Sequence, residues 1–250
     1  MSAFDDLIDK EQEKDIDDLI IEELEKPIPI RNHIAFVMDH SGSMSNLAEV
    51  SKTNFNEQLA QIRKDSGEQE NYVTLIEFDN EIKTRCRNKH IDAIKNLDDY
   101  WIGGMTALYD SVMTAIHYLE KDMPKEGNNA ALVVIITDGY ENASQENGGE
   151  EGRLRLKDRI TKLQDTGKWT FVFMGADQDV LETAVAGMGI PVGNTMAYAA
   201  TAKGVRDSNA AYKMSFSSYS NSRSYSTLTG MSGTTGFFGK SGTSGKESNE

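Results

Sequence analysis

Two rhythms of apolar and polar positions alternate along the middle of this chain. His33-Ile34-Ala35-Phe36-Val37-Met38, the run from Ala130 to Ile136, and Trp169-Thr170-Phe171-Val172-Phe173-Met174 are short and almost unbroken in apolar character. Parallel strands covered on both faces read this way. Between them the apolar residues recur at helical spacing. Leu47, Val50, Phe55, Leu59 and Ile62 fall near one helix face, and Leu108, Val112, Ala115, Ile116 and Leu119 fall on another, in a helix running from Thr106 to about Glu120. A charged helix is expected from about Arg153 to Gln164, a short one from Val180 to Ala186, and a last one near 203–216. Tyr72 to Phe78 and Ile82 to Cys86 are separated only by Asp79-Asn80-Glu81, which predicts a hairpin and therefore one antiparallel edge. The expected fold class is α/β: a doubly wound, mostly parallel sheet with one antiparallel edge strand and helices on both faces, Rossmann-like.

Both ends depart from this rhythm, and three regions are predicted: an N-terminal arm over 1–29, a globular domain over 30–216 and a flexible Ser/Gly/Thr-rich tail over 217–250. The arm is acidic, and Leu7, Ile8, Ile16, Leu19, Ile20 and Leu24 give it patchy helical spacing, so it reads as a solvated arm, with a short amphipathic helix formed on a partner as the alternative. Pro27 and Pro29 separate it from the first strand. In the tail, Phe237-Phe238 is the one bulky apolar spot, read as a chance pair in a loose segment rather than as a docking peptide.

Charge narrows the function classes. Asp and Glu total 40 against 26 Lys and Arg, for a formal net charge of −14. A reader of nucleic-acid backbones needs a clustered basic surface, so no nucleic-acid partner is expected. No stretch approaches the roughly 20 apolar residues of a membrane span. The acidic start does not resemble a secretory leader. Cys86 is the single cysteine, which excludes an internal disulfide. The expectation is a cytoplasmic protein.

The candidate chemistry lies just past the first strand. Asp39-His40-Ser41-Gly42-Ser43 places a carboxylate and two hydroxyls at alternate positions on a loop. Hard divalent cations take oxygen ligands in near-octahedral array. Thr106, in Gly103-Gly104-Met105-Thr106, and Asp138, in Ile135-Ile136-Thr137-Asp138-Gly139, can complete such a set. His40 reads as a solvent-facing loop residue. Asp110, one turn after Thr106, either orients it or faces solvent; Glu141 and Asn142 are expected at the rim, and Asp177 and Asp179 in a loop-and-cap role.

Over about residues 30–200, these three segments together resemble the von Willebrand factor A (vWA) family. Gly104 to Asp110, Thr137 to Ser144 and Phe171 to Asp179 look like small stand-alone bacterial and phage members. The resemblance implies a metal-ion-dependent adhesion site. Asp39, Ser41 and Ser43 form its first loop, Thr106 its second and Asp138 its third. It implies Mg²⁺, with Mn²⁺ or Ca²⁺ as alternatives. The hydroxyls would bind directly, the aspartates often through water, and one position would stay open for an Asp or Glu carboxylate of a protein partner. The implied function is a divalent-cation-dependent, non-enzymatic protein-binding module. The alternative is a structural or assembly component of a phage particle or other large complex, self-associating through the acidic arm. Partners in keeping with the family are an AAA-type ATPase or the chain itself, in a host cytoplasm or a virion.

Enzymatic readings find little support. No Gly-x-Ser-x-Gly elbow surrounds Ser41 or Ser43, and the histidines are only His33, His40, His90 and His117. Gly239-Lys240-Ser241 resembles the end of a phosphate-binding loop, but position 234 is Thr where Gly is needed and no strand precedes it. Zinc is disfavoured for want of Cys and His clusters.

Overall fold

A computed structural model describes residues 28–176, 178–225 and 236–239. Six strands form one sheet: β1 (Ile30–Asp39), β2 (Glu70–Phe78), β3 (Ile82–His90), β4 (Asn128–Thr137), β5 (Trp169–Gly175) and β6 (Thr195–Ala197). Their order is β3-β2-β1-β4-β5-β6. All neighbours are parallel except β2 and β3, the predicted hairpin, so the mostly parallel sheet with one antiparallel edge is observed. That edge is blunted. Lys83, Arg85, Arg87 and Lys89 line β3 with their side chains exposed, which discourages pairing with another chain.

The helices are α1 (Ala48–Asp65), α2 (Leu108–Asp122), α3 (Gly149–Asp165), α4 (Gln178–Glu182) and α5 (Ala202–Tyr225). They cover both faces, and the alternation along each strand assigns the faces. Ala35, Val37, Ala131, Val133 and Phe171 point to α2 and α3. Ile34, Phe36, Leu132, Val134 and Val172 point to α1 and α5. The residues predicted for the inner face of α2 are all buried, as are those of α1 except the half-buried Val50.

Two differences from the sequence reading concern the last third of the chain. The short strand β6 has no apolar run of its own and exists by pairing with Phe173–Gly175. The boundary at residue 216 falls inside α5, which continues to Tyr225. Tyr212, Phe216, Tyr219 and Arg223 form a buried stripe at spacings of four, three and four. Intervening serines hide this period, and several return their hydroxyls to the helix itself: Ser217 to the Lys213 carbonyl, Ser218 to that of Met214 and Ser222 to that of Tyr219. Phe237 is buried against the same stripe, so it is a packed residue and not a chance apolar spot in a loose tail. The acidic arm to residue 27, and the side chains of Asp177 and Asp179, lie outside the described residues.

Candidate metal centre

The strand order reverses between β1 and β4, and the helices that follow these two strands lie on opposite faces of the sheet. Register brings together the loops that leave β1 and β4. Met38 pairs with Ile136, which sets Asp39 beside Thr137. The Thr137 hydroxyl donates to Asp39 Oδ2 (2.5 Å), and the Ser41 amide donates to Asp39 Oδ1 (2.7 Å). Ser41 Oγ lies 3.1 Å from Ser43 Oγ, and Ser43 Oγ donates to Asp138 Oδ1 (2.6 Å). Four of the five sequence-selected residues are thus joined in one chain of contacts across two loops.

Thr106 enters from a third loop. Asn142 Oδ1 accepts its amide (2.8 Å), and its carbonyl accepts the amides of Asn142 and Ala143. Backbone bonds from Gly103 to the His40 carbonyl and from Gly42 to the Gly104 carbonyl tie this loop to the first. Gly104 needs to be glycine: its φ is +61°, and a Cβ there would sit 2.0 Å from Asn80 Oδ1. Gly139 marks where the three loops meet. A Cβ built on it would lie 3.3 Å from Thr106 Oγ1, 3.7 Å from Ser43 Oγ and 3.9 Å from Asp39 Oδ2. The missing side chain leaves a cradle lined by hydroxyl and carboxylate oxygens.

The electrostatics of the cradle favour a cation. Asp39 is fully buried, and burial pushes its carboxyl up to about 6, against hydrogen bonds from Thr137 and Ser41 and with help from the neighbouring Asp138 charge. None of the groups that most influence it is cationic. Among the described residues no three His, Cys, Asp or Glu side chains group closely enough to hold a metal. Any ion here would depend on the hydroxyls, and a hard, oxygen-seeking cation suits that donor set.

His40 is not the solvent-facing residue its position between Asp39 and Ser41 suggests. It is fully buried, stacked on Tyr100 (centroids 3.8 Å apart), with Nδ1 2.7 Å from the Trp101 carbonyl oxygen. Burial lowers its basicity, opposed by Glu77. Glu77, also fully buried, accepts hydrogen bonds from Arg85 and from Trp101 Nε1. Tyr100 donates to the Asp39 carbonyl (2.5 Å). The segment after β3 thereby straps the first loop down. No periodicity marks Tyr100 or Trp101 in the sequence, so composition could not have found them.

Asp110 is half-buried and turns to the 145–147 loop rather than to Thr106. Its carboxylate accepts the amides of Gln145, Glu146 and Asn147 and the Asn147 side-chain amide. Burial pulls its pKa upward, but these bonds together hold it below the usual carboxylate range. Glu141 and Ser144 reciprocate by capping α2, accepting the Tyr109 and Asp110 amides. Glu141 is therefore a helix cap, and Asn142 the clamp on Thr106.

The fold has known counterparts. Residues 34–141 match the sequence profile of the von Willebrand factor type A domain. Over those residues the chain carries the vWA signature. Among solved structures it is similar to the PilB minor pilin from Streptococcus sanguinis, with a TM-score of 0.52 and 13% identity over 77% of this chain and 63% of that one. It is also similar to the pilus adhesin SpaC from Lactobacillus rhamnosus GG, with a TM-score of 0.57 and 16% identity over 77% of this chain and 31% of that one. The chain spans less than two thirds of the length of either protein. At these identities the likeness is one of fold. No curated protein sequence matches the chain. Among the described residues no helix is long and apolar enough to cross a membrane.

Proposed function

We propose that this chain is a divalent-cation-dependent protein-binding module. Its site is built from Asp39, Ser41, Ser43, Thr106 and Asp138, and it captures an Asp or Glu side chain of a protein partner. The vWA fold supports an interaction module, and the oxygen-lined cradle beside Gly139 is the single observation that carries the cation. Mg²⁺ fits the donor set, with Mn²⁺ or Ca²⁺ as alternatives. The bound ion supplies a Lewis-acidic centre toward a carboxylate. Ser41, Ser43 and Thr106 contribute neutral oxygens, which leave positive charge unquenched at the open side. Asp39 and Asp138 supply negative charge behind them and hold hydroxyls in place, a bracing role that metal sites generally depend on. Ser43 is exposed while Asp39 is buried, so the site opens to solvent on the Ser43 side. Charge-assisted pairing there orients the partner, and the surrounding loops select it.

Titration calorimetry of Mg²⁺ and Mn²⁺ into the full chain tests this reading. One site is expected, and Asp39→Ala should weaken uptake at least about 100-fold while the far-ultraviolet spectrum stays unchanged. A wild-type chain that takes up neither ion overturns it. A pull-down with and without chelator then identifies the partner.

A further inference from the structure

Residues 236–239 make a compact set of contacts with Gly193, Asn194 and α5 rather than with the cradle residues. Phe237 is 3% exposed, its ring against Tyr212 (centroids 5.7 Å apart) and Tyr219 (6.1 Å). Phe238 packs edge-on against Phe237. The backbone is read as well. Asn194 Oδ1 accepts the Phe237 amide (2.7 Å), and the Gly193 carbonyl accepts the Phe238 amide (2.8 Å). Gly236 and Gly193 touch through bare backbone: a Cβ on Gly193 would lie 2.9 Å from Gly236 Cα, and one on Gly236 would lie 2.3 Å from the Gly193 carbonyl carbon. The Gly239 amide closes the turn on the Gly236 carbonyl (2.9 Å). Glycines where backbones meet, two main-chain hydrogen bonds and one aromatic anchor in an apolar slot are the elements of short-peptide recognition.

Two further features mark this seat as exchangeable. Tyr212 and Tyr219 are fully buried, yet neither hydroxyl has a hydrogen-bond partner among the described residues. A buried orphan hydroxyl costs stability that water would restore, so hydration of the two tyrosines offsets part of the cost of exposing Phe237. The segment is joined to α5 only through residues 226–235, Ser-Thr-Leu-Thr-Gly-Met-Ser-Gly-Thr-Thr, a span with a contour of roughly 35 Å. A tether of ten residues does not by itself fix which copy of the domain the segment occupies.

We propose that the cleft between Gly193–Asn194 and the Tyr212/Tyr219 face of α5 is a peptide-binding site for an extended Gly-Phe-Phe-Gly segment. The chain's own copy fills it, and the same segment of a second copy of this chain can replace it, linking two molecules. The site is independent of the cation cradle, and its test involves no metal.

The probe is a synthetic peptide of residues 233–242, titrated into the full chain carrying Phe237→Ala. Saturable one-to-one binding is expected. Binding to the wild-type chain should be at least about tenfold weaker, because the tethered segment competes at high effective concentration. The peptide carrying Phe237→Ala should not bind. A cooperatively folded Phe237→Ala chain that ignores the wild-type peptide overturns the proposal, as does equal binding to both chains. Should Phe237→Ala fail to fold, Gly193→Ala gives a second route, since its methyl group collides with Gly236 outside the core. Chymotryptic cleavage after Phe237 or Phe238 should then quicken at least about tenfold over wild type; an unchanged rate overturns the proposal. Exchange between copies is read by light scattering of wild-type chain mixed with Phe237→Ala at rising concentration. Dimers are expected, and a mixture monomeric throughout removes the second-copy part.

Discussion

At the amino ends of β1 and β4 the Arg223 guanidinium is buried, and neutral oxygens surround it. It donates to Asn32 Oδ1, Asn128 Oδ1 and the carbonyls of Arg31 and Asn128, at 2.8 to 3.3 Å. Asn32 in turn donates to Gln69 and Asn71, and Gln69 to the Ser220 carbonyl. At the carboxyl ends of the same two strands, Asp39 is as deeply buried, but its surroundings are acceptor-rich: another carboxylate and the hydroxyls of Ser41, Ser43, Thr106 and Thr137 lie close by. One charge is saturated by the fold and acts as architecture. The other is left with surplus oxygen lone pairs, which the proposed cation would engage.

Removing the saturated charge should have the largest effect on stability. Arg223→Ala strips several buried acceptors of their donors and opens a cavity, with an expected loss of about 4 kcal/mol in urea unfolding. Cation uptake per folded molecule should not change. A loss below about 1 kcal/mol would show that this end is not the anchor described.

At the other end the sign is opposite. Asp39 titrates at about 6 in the folded chain against an ordinary value of 3.8, so the folded state holds the proton more tightly. Its favourable contribution is complete below the ordinary value and is lost as pH rises through the folded one. Metal-free wild-type chain should therefore lose about 3 kcal/mol relative to Asp39→Asn between pH 3.8 and pH 7. Saturating Mg²⁺ should restore the wild type and leave the Asn variant unaffected. Parallel pH–stability curves for the two chains would contradict this.

Gly139→Ala is the finest probe. Its methyl would come within 3.3 Å of Thr106 Oγ1 and intrude on the cradle without touching the hydrophobic core. Cation affinity should fall about tenfold, while unfolding stability stays within about 0.5 kcal/mol of wild type. Calorimetry and urea unfolding on the same preparation separate the two effects.

Much of the fold is legible in the chain itself. Buried strands announce themselves as apolar runs, and α2 by an unbroken helical stripe, because both periods are set by local backbone geometry. The site residues are legible for a related reason. Asp39, Ser41 and Ser43 sit at alternate positions on one short loop, and Asp138 ends a strand whose apolar run is plain. The rest is not. The sequence pattern ends α5 too early because serines interrupt Tyr212, Phe216, Tyr219 and Arg223, and these residues become a stripe only against α1 and the sheet. His40 reads as a polar loop residue until Tyr100 and Trp101, some 60 positions later, cover it.

What the sequence determined by itself, then, is the inventory: which stretches are strands, which helices bury a face, and which side chains bring oxygen to the ends of β1 and β4. The tertiary structure decided what meets what. Strand order and register set Thr137 beside Asp39, the post-β3 strap buries His40, Gly139 opens the cradle and Phe237 finds its slot on α5. The physical reason is range. Periodicity and loop spacing are properties of a few consecutive residues, whereas convergence depends on loops closed over tens of residues, whose pairing emerges only from the packing of the whole sheet.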